Sequence, residues 1–167
     1  MSWTIRPLGP DDADALLPLR LEALRSHPEA FGADVSEEGP AAVDRLIGQA
    51  PSLTLGGFAG SAMVGMAGVV ISGRIKTRHK GHVWGFYVTP AFRGSGLSRA
   101  LMGGLVGHAR EQGLLGLTLT VTVGNEAARR LYAEAGFVTY GVEPAGLQVG
   151  GRLFDVELMA LDLPIRG

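Results

Sequence analysis

Val88-Thr89-Pro90-Ala91-Phe92-Arg93-Gly94-Ser95-Gly96-Leu97-Ser98, running on into Arg99-Ala100-Leu101-Met102, reads as the end of a strand, a glycine loop and the start of a helix. The first turn of a helix has amide donors with no internal partner and sits at the positive end of the helix dipole, so such a junction suits an anion. Gly94 and Gly96 lack Cβ atoms, which lets the backbone bend and approach a ligand, with the amides of Ser95, Leu97 and Ser98 converging on it. Upstream, residues 81–88 are apolar on both faces (Val83, Trp84, Phe86, Tyr87, Val88), as a central strand should be, and Pro90, lacking a ladder donor, ends it. The loop has neither the Gly-Lys-Ser/Thr of a P-loop nor the three spaced glycines of a dinucleotide fingerprint. Taken alone it is a phosphate cradle or a tight turn.

On the N-terminal side, residues 3–8 form a short strand, and Pro10-Asp11-Asp12 opens a helix whose Leu16, Leu17, Leu21 and Leu24 recur at helical spacing up to Ser26-His27-Pro28. A looser helix is expected over residues 36–47, interrupted at Gly39-Pro40. Residues 53–59, a Gly60-Ser61 turn and residues 63–72 read as a hairpin that leads through 73–80 into the central strand. On the C-terminal side a helix spans 95–112 and stops at Gly113. Its Gly103, Gly104 and Gly107 cost about 1 kcal/mol each relative to alanine, and close packing on the sheet would account for them. Residues 117–123 alternate strictly as a half-buried strand, and Asn125 caps a helix that reaches Ala135 and closes at Gly136. Residues 137–140 and 152–161 are two further strands, with 141–151 as the loop between them.

The 167 residues, 46% hydrophobic, are enough for one domain spanning 1–167. Fifteen basic against 16 acidic residues leave a net charge of -1, so no overall basic field points to nucleic acid or an anionic membrane surface. The alternating Arg74, Lys76, Arg78 and Lys80 read as an exposed hairpin end. The lack of cysteine excludes disulfides, thiolate zinc sites and a cysteine nucleophile, and suits the cytoplasm. No window approaches the roughly 20 apolar residues of a membrane span, and Met1-Ser2-Trp3-Thr4-Ile5-Arg6 does not read as a leader. His27, His79, His82 and His108 are scattered without metal-ligand spacing, so no metal is expected.

Two motifs in this order resemble the GNAT superfamily of acetyl-CoA-dependent N-acetyltransferases across nearly the whole chain. Arg93-Gly94-Ser95-Gly96-Leu97-Ser98 is similar to the pattern Gln/Arg-x-x-Gly-x-Gly/Ala, with Ser98 in place of the final small residue; Asn125, Ala128, Leu131-Tyr132 and Gly136-Phe137 form the second motif. The resemblance implies a mixed α/β (α+β) fold, a mostly antiparallel sheet flanked by helices in the order β-α-α-β-β-β-α-β-α-β-β, splayed beside the glycine loop. It implies acetyl-CoA as cosubstrate, its pyrophosphate cradled by the amides of Gly94, Gly96 and Ser98. Its pantetheine arm would pair with the backbone of Tyr87 and Val88. Arg93 and Arg99, or Arg129 and Arg130, supply positive charge in this picture, the last two reading first as solvated helix residues. Asn125 is a helix cap, a pantetheine contact, or both.

Tyr132 by itself is a core tyrosine; by resemblance it protonates the departing thiolate. Relatives often place a glutamate base on the central strand, where this chain has Trp84, and His82 is the nearest titratable group on that strand. Deprotonation by His82, by water, by Glu22 or by Glu37 stays open. Asp34, Glu37 and Glu38 form an acidic loop able to attract a cationic amine, and Asp155 and Glu157 are candidates to face the acceptor. The implied function is acetyl transfer to an amine by direct attack, a small molecule first, with a protein or peptide acceptor or a non-catalytic CoA-responsive module as alternatives. Relatives commonly form dimers, so a homodimer is allowed.

Overall fold

The computed structural model describes residues 2–164. The chain runs β1 (Thr4–Pro7), α1 (Ala13–Ser26), α2 (Pro40–Leu46), β2 (Leu53–Ala59), β3 (Ala62–Ile71), β4 (Lys80–Val88), α3 (Leu97–Glu111), β5 (Gly116–Thr122), α4 (Glu126–Glu134), β6 (Val138–Val149) and β7 (Arg152–Asp162). Among the described residues one seven-stranded sheet in the order β1-β2-β3-β4-β5-β7-β6 holds all the strands, and only the β4–β5 contact is parallel. This is the mixed, mostly antiparallel architecture implied by the resemblance.

Each face of the sheet has its own core. On one face Val69, Val83, Leu117, Leu119 and Met159 meet the i, i+4 stripe of α3, Leu97, Leu101, Leu105 and Ala109, with Tyr132 and Phe137 beside them. Leu97, Leu101 and Leu105 are fully buried and contribute about 1.5–3 kcal/mol each. On the other face Phe58, Met66, Trp84 and Tyr87 pack against Leu16, Leu19 and Ala23 of α1 and Val43 of α2. Glycines seat α3: a Cβ on Gly57 of β2 or Gly65 of β3 would stand 2.8 or 3.0 Å from the Leu97 side chain. The first helical residue thus sinks into the sheet and fixes the glycine loop above it. Of the three glycines inside α3, only Gly104 packs closely, its Cβ position lying 2.7 Å from Leu55 Cδ1, while Gly103 and Gly107 face open space.

The strand β4 creates the opening in the sheet. It pairs with β5 only through Lys80↔Gly116, Gly81↔Leu117 and His82↔Thr118, yet it stays paired with β3 as far as Gly65↔Val88. Between Trp84↔Gly68 and Tyr87↔Met66, two β4 residues oppose Ala67 alone, and Gly85 takes a left-handed φ of 67°. Such a bulge bends and twists its strand, and β4 leaves β5 there.

Two segments differ from the sequence expectation. Residues 141–151 are not a loop: β6 continues to Val149 and turns into β7 at Gly150-Gly151, both left-handed. Pro144-Ala145-Gly146 bulges out of the ladder, and the Ala145 N–H donates to Asp155 Oδ1 at 2.8 Å. A side chain on the neighbouring strand thus holds a stretch whose own residues read as a turn. Residues 28–38 form two short 3-10 turns, Pro28–Ala30 and Val35–Glu37, the second standing where a helix was expected to begin. Among the described residues no helix is long and apolar enough to cross a membrane, and no His/Asp/Glu group is placed to hold a metal.

Candidate active site

Where β4 and β5 part, a cleft of about 670 Å³ opens. Phe86, Tyr87 and Val88 form one wall, and Thr122 to Asn125 with the first turn of α4 form the other. The Pro28–Ala30 turn lines it too, tied to β5 by the Thr122 hydroxyl, which donates to the Glu29 carbonyl at 2.6 Å. Arg93, Gly94 and Ser98 of the glycine loop complete the rim, and Arg152 and Phe154 enter from the β6–β7 hairpin.

The loop has the geometry of an anion cradle. Gly94 and Gly96 have φ of 75° and 90°, which disfavour any side chain, and a Cβ on Gly94 would meet nothing within 4 Å. The α3 N-terminus has no side-chain cap; the Leu97 N–H reaches only the Ser95 hydroxyl, at 3.4 Å, and the N–H groups of Gly94, Gly96 and Ser98 have no partner among the described residues. Trp3, which the sequence reading left aside, anchors the loop by donating its indole N–H to the Ser95 carbonyl at 3.2 Å.

Other expected residues are distributed unevenly. Tyr87, Val88, Arg93, Gly94, Ser98, Asn125 and Tyr132 line the cleft, while Ser95, Gly96, Leu97, Arg99 and His82 do not. Arg99 turns outward to an exposed ion pair with Glu134 at 3.0 Å. Arg93 braces rather than reaches out: its Nε donates to the Val88 carbonyl at 3.1 Å, its Nη2 meets His27 Nε2 at 3.1 Å, and it lies over the Tyr87 ring. Val88, expected to offer its backbone to a ligand, already shares its carbonyl with this side chain. Arg129 donates to Glu157, which also accepts from Thr139, and Asp155 holds the β6 bulge, so neither acid faces the cleft. The Asn125 carbonyl oxygen caps α4 by accepting from the Ala128 N–H at 3.3 Å.

Tyr132 is 8% exposed and sits edge-on to Phe86 and Phe137. Loss of water around its phenol pushes the pKa up to about 12, so the hydroxyl holds its proton throughout the neutral range. The expected bases are engaged elsewhere or distant. Glu22 accepts from the Tyr87 hydroxyl at 2.9 Å, Glu37 caps its own turn by accepting from the Asp34 N–H at 2.8 Å, and His82 stands in the paired part of β4 with Thr118 at 3.0 Å. Partial desolvation lowers the His82 pKa from its ordinary value.

A cluster that the sequence reading missed lies beneath Phe31. Arg20 and Glu38 form an ion pair at 3.4 Å whose side chains are 7% and 6% exposed. Arg20 Nη1, Glu38 Oε2 and Trp84 Nε1 are buried without a partner, which costs about 1–3 kcal/mol per group and more where the group is charged. Burial pushes the Arg20 guanidinium down from its ordinary value, and Glu38 opposes that shift. The signal was present: Arg20 lies one turn from both Leu16 and Leu24 on the apolar stripe of α1, where a charge needs a partner.

Residues 19–137 match the family model of the GNAT acetyltransferases, and the chain belongs to that family. Solved structures agree in fold. A GNAT acetyltransferase from Streptococcus pneumoniae superposes with a TM-score of 0.87 at 24% identity, covering 97% of this chain and 100% of that one. The yncA protein of Salmonella typhimurium, solved with its cofactor acetyl-CoA, gives 0.81 at 24% identity over 100% and 97%. A ribosomal-protein-alanine N-acetyltransferase from Brucella melitensis gives 0.80 at 24% over 96% and 99%. No curated protein gives a significant sequence match.

Proposed function

We propose that the protein is an N-acetyltransferase that takes acetyl-CoA in the β4–β5 cleft and acts on an amine by direct attack. One observation carries the reading: a single opening in the sheet joins free loop amides at its rim to a buried, protonated phenol in its wall. The residues fit the cofactor chemically. The amides of Gly94, Gly96 and Ser98 are donors for a pyrophosphate, and the edge of β4 that turns away from β5 offers backbone groups to the amides of a pantetheine arm. Acetyl-CoA supplies a thioester whose carbonyl takes the amine nitrogen and whose sulfur leaves as the thiol. Tyr132 holds its proton on Oη in an apolar wall, the state required of a donor to a departing thiolate. Arg93 keeps the glycine loop and the His27 turn at a fixed separation, which orients the two halves of the cleft.

Calorimetry with acetyl-CoA, followed by thiol release over amino acids, polyamines, aminoglycosides and peptides, tests this. Saturable binding with acceptor-dependent release is expected. Absence of acetyl-CoA binding refutes it, and binding without release for any acceptor favours the non-catalytic module.

A further inference from the structure

We infer that Arg20, Glu38 and Trp84 form a recognition site for an acceptor whose carboxylate lies one carbon from its amine, a free α-amino acid. The inference rests on the transferase reading above and adds the acceptor. A structural ion pair deep in a core normally spends its remaining donors and lone pairs on neighbours. Here a guanidinium nitrogen and an indole N–H, two donors, remain open beside one open carboxylate oxygen. Two donors and an anionic acceptor complement a zwitterion: the carboxylate faces Arg20 and Trp84, and the ammonium faces Glu38. Arg20 Nε and Nη2 hold Glu38 Oε1 at 3.4 Å, which leaves Nη1 and Oε2 as the atoms open to a ligand.

Placement supports the assignment. Arg20 Nη1 is 3.7 Å from the Cβ position of Gly85, so the guanidinium abuts the bulge where the cleft opens, approaching it from the α1 face. Phe31 links the two, since its ring lines the cleft and lies 5.4 Å from the guanidinium carbon, with Trp84 at 5.8 Å. The cluster itself does not line the cleft, so on this proposal the acceptor displaces the Phe31 ring to reach it. Charge is compatible: Arg93 and Arg152 line the cleft against Glu29 alone, a surface that disfavours polycations and tolerates the carboxylate of a zwitterion.

The test pairs each L-amino acid with the amine left when its carboxylate is removed. Calorimetry on the protein with and without acetyl-CoA reads binding directly, and thiol release reads turnover. Expected is at least about tenfold tighter binding of the amino acid. Trp84→Phe, which keeps an aromatic ring but deletes the N–H together with part of the indole, should raise the acceptor Kd and KM by about threefold to tenfold. Glu38→Gln should raise them about tenfold or more. Both variants should leave the acetyl-CoA Kd unchanged. Equal binding of amines with and without the carboxylate overturns the inference. So do variants that lower Tm while leaving the acceptor Kd untouched, the behaviour of a cluster satisfied by buried water. Failure to bind acetyl-CoA overturns the transferase reading instead, and amino-acid binding without cofactor still decides this one.

Discussion

Tyr132 shows how one side chain satisfies two demands. Its ring fills the core between Phe86 and Phe137, and the same burial that stabilises the ring holds the phenol in its protonated form. Tyr132→Phe removes the proton and keeps the packing. The expected result is a kcat lower by about 10²-fold to 10³-fold with an acetyl-CoA Kd within about twofold of the parent. The pH dependence follows in sign: a donor must be protonated, and with the pKa raised from 10.0 to about 12 the Tyr132 form that donates persists above pH 10. Any alkaline loss of activity that belongs to Tyr132 should therefore fall near pH 12, and a limb centred at 10 that disappears in Tyr132→Phe would contradict it. Arg93 teaches the opposite lesson. The motif marks it as an anion contact, while its neighbours in space make it a brace between Val88 and His27.

At the scale of elements, α3 separates glycines that serve packing from glycines that do not. Gly103 and Gly107 have empty space where a Cβ would stand and ordinary helical φ, so alanine there gains helix propensity at no steric cost. Gly103→Ala and Gly107→Ala should each stabilise by about 0.5–1 kcal/mol in denaturant titration. Gly104→Ala should gain less or lose outright, because its Cβ would press on Leu55. Equal gains at all three positions would mean that α3 does not sit on the sheet as described. The same reasoning explains why α3 was legible and β6 was not. Helix periodicity, caps and stops are written within a few residues, whereas the β6 bulge depends on Asp155 ten residues away on another strand.

Across the whole molecule, the parting of β4 from β5 opens a cleft in the sheet, the site proposed for acetyl-CoA. The amides of residues 84–88 that face the gap have lost β5 as a partner and are free to pair with a ligand. Hydrogen exchange over 84–88 should slow when acetyl-CoA is added, while exchange in the β2–β3 ladder stays as it was; unchanged exchange in β4 would remove the strand edge from the binding surface. The amino-acid sequence by itself determined the element order, the glycine loop at Gly94–Gly96 that opens α3 and the Asn125 cap, because backbone chemistry within a few residues dictates each. Only the tertiary structure decided which side chains meet. It gave Glu22, Glu37 and His82 hydrogen-bond partners in Tyr87, Asp34 and Thr118, and it joined Arg20 to Glu38 and Thr122 to Glu29, 18 and 93 residues apart. Those meetings depend on how two cores pack on opposite faces of one bulged sheet, and no local pattern encodes that packing.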